Sequence, residues 1–266
     1  MFDPQILRDS LCTRLRRALP VRPDAGLLSV TLPAPELTLR FLPPLSAPYF
    51  YWGRPQHEQY LLGLGLVETL EAGAPEPRRF EALDREFSRA TQSWLRLDPE
   101  ESGFGPRAFA GVAFDGNDPM AAPWNGFPNA ALFLPTLLLH CEGNACALTF
   151  TVRVTDAYKV EGVMDEWSAL LERLLIALVL PPDPSGTRTA LTRVLSVPED
   201  AEWLRLIRHA TADIGAGHLQ KVVPARRIRV CAERRLEPAR LLSGLGYMYP
   251  CCYLLAVDLG RGAVLA

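Results

Sequence analysis

The sequence predicts an α+β fold in which antiparallel β-sheets are layered with helices. Three observations predict it: short β-rich runs between turn-forming residues, helical periodicity confined to a few separate segments, and enough apolar residues for a core. Strands joined by hairpins, with helices arriving in separate runs, argue against a parallel βαβ arrangement. With 48% hydrophobic and 22% charged residues over 266 positions, the chain has globular proportions and suffices for one large domain or two small ones.

Residues 3–19 place Ile6, Leu7, Leu11, Leu15 and Leu19 on one helical face. Short strands are predicted at 28–32 and 36–41, and Pro43, Pro44 and Pro48 end that stretch. The run Tyr49-Phe50-Tyr51-Trp52 predicts another strand, and residues 58–69 a further one. Leu83, Phe87, Ala90 and Trp94 recur at helical spacing and predict one buried helix face. Strands are then predicted at 109–114, 130–140 and 146–152, the last two joined as a hairpin through Cys-Glu-Gly-Asn-Ala. Residues 162–178 predict a strong helix with Val163, Trp167, Leu170, Leu174 and Leu178 in register.

Pro181-Pro-Asp-Pro-Ser-Gly186 reads as a linker. It divides an N-terminal sheet-and-helix region, 1–190, from a second region, 191–266. In the second region Ser196-Val-Pro-Glu199 predicts a capping box, and Trp203, Ile207, Ala210 and Ile214 continue the helix. Gly215 and Gly217 can end it in the left-handed conformation. Residues 219–230 then predict a strand, and 251–258 with 263–266 a hairpin. The chain stops at Ala263-Val-Leu-Ala266, inside a strand pattern, which predicts that a larger domain continues past it.

Composition also excludes function classes. A formal net charge of -2 without a basic stripe argues against nucleic acid as a partner. The N-terminus lacks the uninterrupted apolar core of a signal peptide, and the longest apolar run, 174–182, is too short to span a bilayer. The expectation is a monomeric cytoplasmic protein. Cys12, Cys141, Cys146, Cys231, Cys251 and Cys252 show no CxxC pair, so they read as reduced, packed thiols, Cys251 and Cys252 within an apolar strand.

One compositional feature is sharper. Of 28 lysine and arginine residues, only Lys159 and Lys221 are lysines. Scarcity of this kind is what a GC-rich coding bias would produce, yet it gives each remaining lysine weight. An amine can be tuned to lose its proton; a guanidinium cannot. Lys159 lies beside Asp156 and Tyr158 ahead of a helix, a solvated position, whereas Lys221 lies inside an apolar strand pattern. The bland reading of Lys221 is a strand lysine whose head group snorkels to solvent.

Taken singly, the other motifs demand no chemistry. Gly63-Leu-Gly65 lacks the third glycine of a phosphate loop and reads as a turn or bulge. His57 and His140 lack partners at metal-ligand spacing, so no metal site is predicted from the residues present. His209 and His218 read as capping or surface residues.

In order along the chain, however, the motifs resemble one family. They are Phe50-Tyr-Trp52 with Pro55, Gly63-Leu-Gly65, Gly111-Val-Ala-Phe-Asp115, Trp124, Phe127-Pro128, Leu134-Pro135, Trp203, and Leu219-Gln-Lys221-Val-Val-Pro-Ala-Arg226. The last resembles the K-V-V-L-A-R strand of isochorismate synthases, and Pro250-Cys-Cys252-Tyr253 resembles their P-N-C-Y. The resemblance covers about nine tenths of the chain and implies an incomplete chorismate-binding-enzyme fold. Gly53, Pro224 and Cys251 depart from the family pattern, and Pro224 removes a ladder donor near Lys221.

The resemblance implies an isomerase that moves a hydroxyl from C4 to C2 of chorismate, in menaquinone or siderophore biosynthesis. It makes Lys221 the general base, with Mg²⁺ neutralising a substrate carboxylate. The family's G-A-T-P-E acid and its Mg²⁺ ligands would follow Ala266, so the bare chain is expected to be inactive. A lysine acting as a base near neutral pH must fall from about 10.4 to about 8, which asks for roughly 3 kcal/mol of burial or nearby positive charge. Three alternatives share part of this reading: a sibling enzyme making anthranilate, aminodeoxychorismate or salicylate, a non-catalytic fragment, and an unrelated α+β binding module.

Overall fold

The first helix is started by local chemistry. In a computed structural model that describes residues 3–21, 23–72, 78–120, 124–180, 189–260 and 263–266, Asp3 caps helix α1 (Pro4–Ala18). Its carboxylate accepts from the Gln5 and Ile6 N–H groups at 2.8 and 3.2 Å, Pro4 opens the first turn, and Arg16 and Arg17 close the last. Leu7, Leu11 and Leu15 are its buried stripe.

The chain divides into two units, Met1–Pro182 with Pro238–Ala266, and Asp183–Glu237. The last 29 residues, 238–266, group with the first unit rather than the second. The linker itself, 181–186, lies outside the described residues.

In the first unit, strands β1 (Leu27–Pro33), β2 (Tyr49–Arg54) and β3 (Gln59–Leu64) belong to one large sheet. Strand β4 (Glu68–Glu71), helix α2 (Arg79–Thr91) and strands β5 (Trp94–Leu97) and β6 (Phe109–Val112) follow. Then come β7 (Ala130–Leu134), β8 (Leu137–Glu142), β9 (Ala145–Arg153) and helix α3 (Val160–Val179). Helix α4 (Asp200–Gly215) lies between strands β10 (Leu191–Val197) and β11 (Arg227–Ala232) in the second unit. Helix α5 (Pro238–Met248) and strands β12 (Leu254–Asp258) and β13 (Ala263–Leu265) complete the first.

The eight-stranded sheet has the order β13-β12-β2-β3-β8-β9-β1-β5, and a three-stranded sheet the order β4-β7-β6. Pairing is antiparallel except between β1 and β5. Period-two alternation sorts β2 between two cores. Tyr49 and Tyr51 enter the core shared with α1 and α3, while Phe50 stacks on Phe109 and Phe133 at 5.2 and 5.3 Å. On the helical side Trp167 is fully buried, its ring 5.3 Å from that of Phe150. Buried hydroxyls pair directly across β1 and β9, Ser29 with Thr151 and Thr31 with Thr149, at 2.9 and 3.0 Å.

Several expectations change. Residues 36–41 form no strand. The predicted 130–140 strand breaks at Pro135-Thr136 into β7 and β8, which enter different sheets. Trp94 leaves the predicted helix for β5, where its Nε1–H donates to Ser29 Oγ at 2.8 Å. Hairpin register sets Cys141 opposite Cys146, and a disulfide joins them, correcting the reading of these two as reduced thiols. Cys251 and Cys252 are exposed and precede β12 rather than packing within it. The C-terminal hairpin is not a lone pair of strands, because β12 pairs with β2 from Leu254↔Gly53 to Asp258↔Tyr49. The Gly63-Leu-Gly65 run is structural. A Cβ at Gly63 would sit 2.9 Å from both the Phe109 ring and Pro135, and Gly65 has φ +68°.

Truncating Trp167 to Ala should cost about 3–5 kcal/mol of unfolding free energy, read by chemical denaturation, because it empties the centre of the helical core. His140 yields a pH prediction. It is buried on β8, with Phe104 edge-on at 4.8 Å and Glu142 Oε1 3.0 Å from Nε2. Burial lowers its proton affinity and outweighs the opposing pull of Glu142. The unfolded chain therefore takes up this proton first as pH falls. Stability should be full above the unfolded value near 6.5 and decline as pH drops through it toward the folded one. Between pH 7.5 and pH 5.5, values that bracket roughly a unit either side of that midpoint, denaturation midpoints should fall more for the wild type than for His140→Gln.

Candidate active site

The second unit holds the residue that the sequence singles out. β10 and β11 pair antiparallel from Leu191↔Ala232 to Val197↔Arg227, with a register shift between Arg193 and Leu195. Pairing stops there for a chemical reason: the residue after β10 is Pro198, which has no N–H to continue the ladder. Residues 219–226 therefore lie outside any strand. Lys221, expected within a buried strand, is exposed between α4 and β11, and its neighbours Val222 and Val223 are 38% and 78% exposed. Apolar sequence alone suggested a strand, but a strand needs a partner, and Pro224 weakens this one further.

Both ends of the Lys221 span are fastened within the unit. At the helix end Gly217 takes φ +77°, and the His218 N–H donates to the Asp213 carbonyl at 2.9 Å. His218 itself is exposed, 3.7 Å from the Asp213 carboxylate, as expected of a surface residue. At the other end the Arg226 guanidinium reaches three partners. Its Nη2 donates to Ser196 Oγ at 3.1 Å and to Asp200 Oδ1, and its plane lies over the Trp203 ring at 5.5 Å. Arg193 Nη1 holds the second Asp200 oxygen at 2.7 Å. Arg226 and then Arg193 keep the Asp200 carboxyl below the usual carboxylate range.

This cluster replaces the expected capping box. Ser196 belongs to β10, and the N-cap residue of α4, Glu199, makes no side-chain cap bond. Asp200 instead supplies the acidic group of the first turn, where the helix dipole favours it. Trp203, Ile207 and Ala210 are half-buried as their spacing predicts, whereas Ile214 is exposed. The sequence placed Arg226 and Trp203 in its motifs without pairing them. Their contact joins residues 23 positions apart, a separation no short-range pattern reports.

The remaining motifs serve the first unit. The front aromatic run and the Pro-Cys-Cys-Tyr run meet on adjacent strands. Trp52 lies opposite Leu255 in the β2–β12 ladder, its ring 5.7 Å from that of Tyr253, and the Arg54 guanidinium stands 5.4 Å from the Tyr253 ring. Trp124 and Phe127 make an edge contact at 6.5 Å beyond β6. Among the described residues no group of three or more His, Cys, Asp or Glu could hold a metal ion, so the described residues do not form the implied Mg²⁺ site. No helix among them is long and apolar enough to cross a membrane.

No curated protein sequence matches the chain. Among solved structures it resembles MenF, the menaquinone-specific isochorismate synthase from Escherichia coli, at 19% identity and a TM-score of 0.63. The match covers 98% of this chain and 54% of that one, so the chain spans about half the length of its structural relative. That likeness establishes a shared mixed α and β fold, with an antiparallel sheet and helices, as anticipated. The profile of the family described as chorismate binding enzyme matches residues 16–265, a stretch that covers the second unit, most of the first, and Lys221. By that match over most of its length, the chain belongs to the chorismate-binding enzyme family.

Proposed function

We propose that this chain contributes the base-bearing part of an isochorismate synthase, with Lys221 as the general base. The observation that supports the reading is the family match across the Lys-Val-Val-Pro-Ala-Arg segment, in a fold shared with an isochorismate synthase. In the proposed reaction water attacks C2 of chorismate and gives its proton to the Lys221 amine. The ring double bonds shift, and the C4 hydroxyl leaves as water after protonation by an acid. Water is consumed and released, so the net change is an isomerisation.

The chemistry sets two requirements. The amine must be uncharged when water attacks, which calls for a covered, low-dielectric setting or nearby cations. Lys221 is exposed among the described residues, so the working protein must cover it. An acid and a carboxylate-binding site must also face it, and Mg²⁺ would serve the latter if the protein supplies ligands. Chorismate is the proposed substrate, and the cytoplasm the proposed compartment. A sibling activity, releasing anthranilate, aminodeoxychorismate or salicylate, would use the same lysine.

Product analysis of the full-length, active protein with chorismate and Mg²⁺, with and without ammonia, tests the reading. Isochorismate is expected, and an aminated product or salicylate would move the assignment to a sibling. Lys221→Arg and Lys221→Ala should each lower turnover by roughly 100-fold or more, in line with loss of a general base, while circular dichroism stays unchanged. Undiminished turnover in either variant overturns the role of Lys221. Failure to bind chorismate overturns the assignment altogether.

A further inference from the structure

We infer that Arg226 is a positioning residue for the proposed base, clamping the outgoing end of the span that carries Lys221. The inference rests on the role proposed for Lys221. Six residues, 220–225, run without ladder bonds between Leu219, the last residue bonded back to α4, and Arg226. A strap of this kind wanders unless both ends are held, because unpaired backbone opens at little cost. The helix end is held by backbone bonds to Asp213. The other end enters the β10–β11 ladder at Arg227, and just before it the Arg226 side chain adds contacts that are numerous for a unit without a buried residue among those described. Arg226 touches β10 through Ser196, the first turn of α4 through Asp200, and the α4 face through Trp203.

The geometry is specific to a guanidinium. One terminal nitrogen reaches both a hydroxyl and a carboxylate while the plane covers an indole ring, which a lysine ammonium at that position cannot reproduce in full. Asp200 is engaged from its far side by Arg193, so the carboxylate bridges two arginines. Arg226 is only 16% exposed, whereas the residues it restrains, 221–225, are all exposed. Its chemistry is therefore directed inward, at the unit's own elements, and it acts on the reaction through the placement of Lys221.

The scarcity of lysine makes the test selective. An endoproteinase that cuts only after lysine has two sites in this chain, Lys159 and Lys221. In Arg226→Ala, cleavage after Lys221 should accelerate by roughly tenfold as the strap opens, with cleavage after Lys159 unchanged. In steady-state assays of the active protein kcat should fall roughly 10- to 100-fold with KM within about twofold, because the base is misplaced and substrate contacts are kept. Arg226→Lys should recover part of both effects. Equal acceleration at both lysines would show general destabilisation and overturn the inference. So would wild-type cleavage and kcat in Arg226→Ala, even where Lys221→Ala is inactive. Turnover surviving in Lys221→Ala would instead overturn the base itself, whatever Arg226 does.

Discussion

Strand β2 is the constraint on which the first unit depends. It pairs with β3 along one side and with β12 along the other, so it joins the start of the chain to its last thirty or so residues. Its alternation also decides which core each neighbour serves. Tyr49 and Tyr51 face α1 and α3, and Phe50 faces the three-stranded sheet. A slip of one residue would exchange those faces and leave aromatic groups against the wrong layer. The glycine at 63 allows the close approach of Phe109 and Pro135 behind β3, so packing and register support one another.

The second unit follows different physics. No described residue in it is buried, and its hairpin and helix are tied by polar and cation–π contacts centred on Arg226. Exposed ion pairs contribute little each, since water competes for both partners. The cluster therefore specifies geometry more than it supplies stability. That arrangement suits the role proposed for the segment, which is to present the Lys221 amine. The exposed Leu191, Leu195, Val197, Leu204 and Val223 show that apolar surface is also displayed there.

Much of this was legible from residues alone. The leucine stripes of α1 and α3, the Cys-Glu-Gly-Asn-Ala hairpin and the aromatic strand at Tyr49 each carry a local period that survives into the fold. Misreadings arose where a partner, not a period, decides the outcome. Residues 219–226 have strand composition, but nothing pairs with them beyond Val197. Trp94 completes a helical spacing and yet serves β5, because Ser29 offers its indole a hydrogen bond across the sheet. Ser196 and Glu199 have capping-box spacing, but the serine is drawn into β10. Lysine scarcity pointed at Lys221, whereas Arg226, one of 26 arginines, carried no such mark.

The sequence by itself determined the kind of elements present, because these follow from composition and short periods, and its ordered motifs carried the resemblance to the family and singled out Lys221 as a candidate. Only the tertiary structure decided that the chain's end returns to β2, that Cys141 faces Cys146, and that Arg226 stacks on Trp203. Those are pairings between residues that are distant in sequence or depend on exact register. Their energies come from contacts formed once the chain has folded, and no local window of residues contains them.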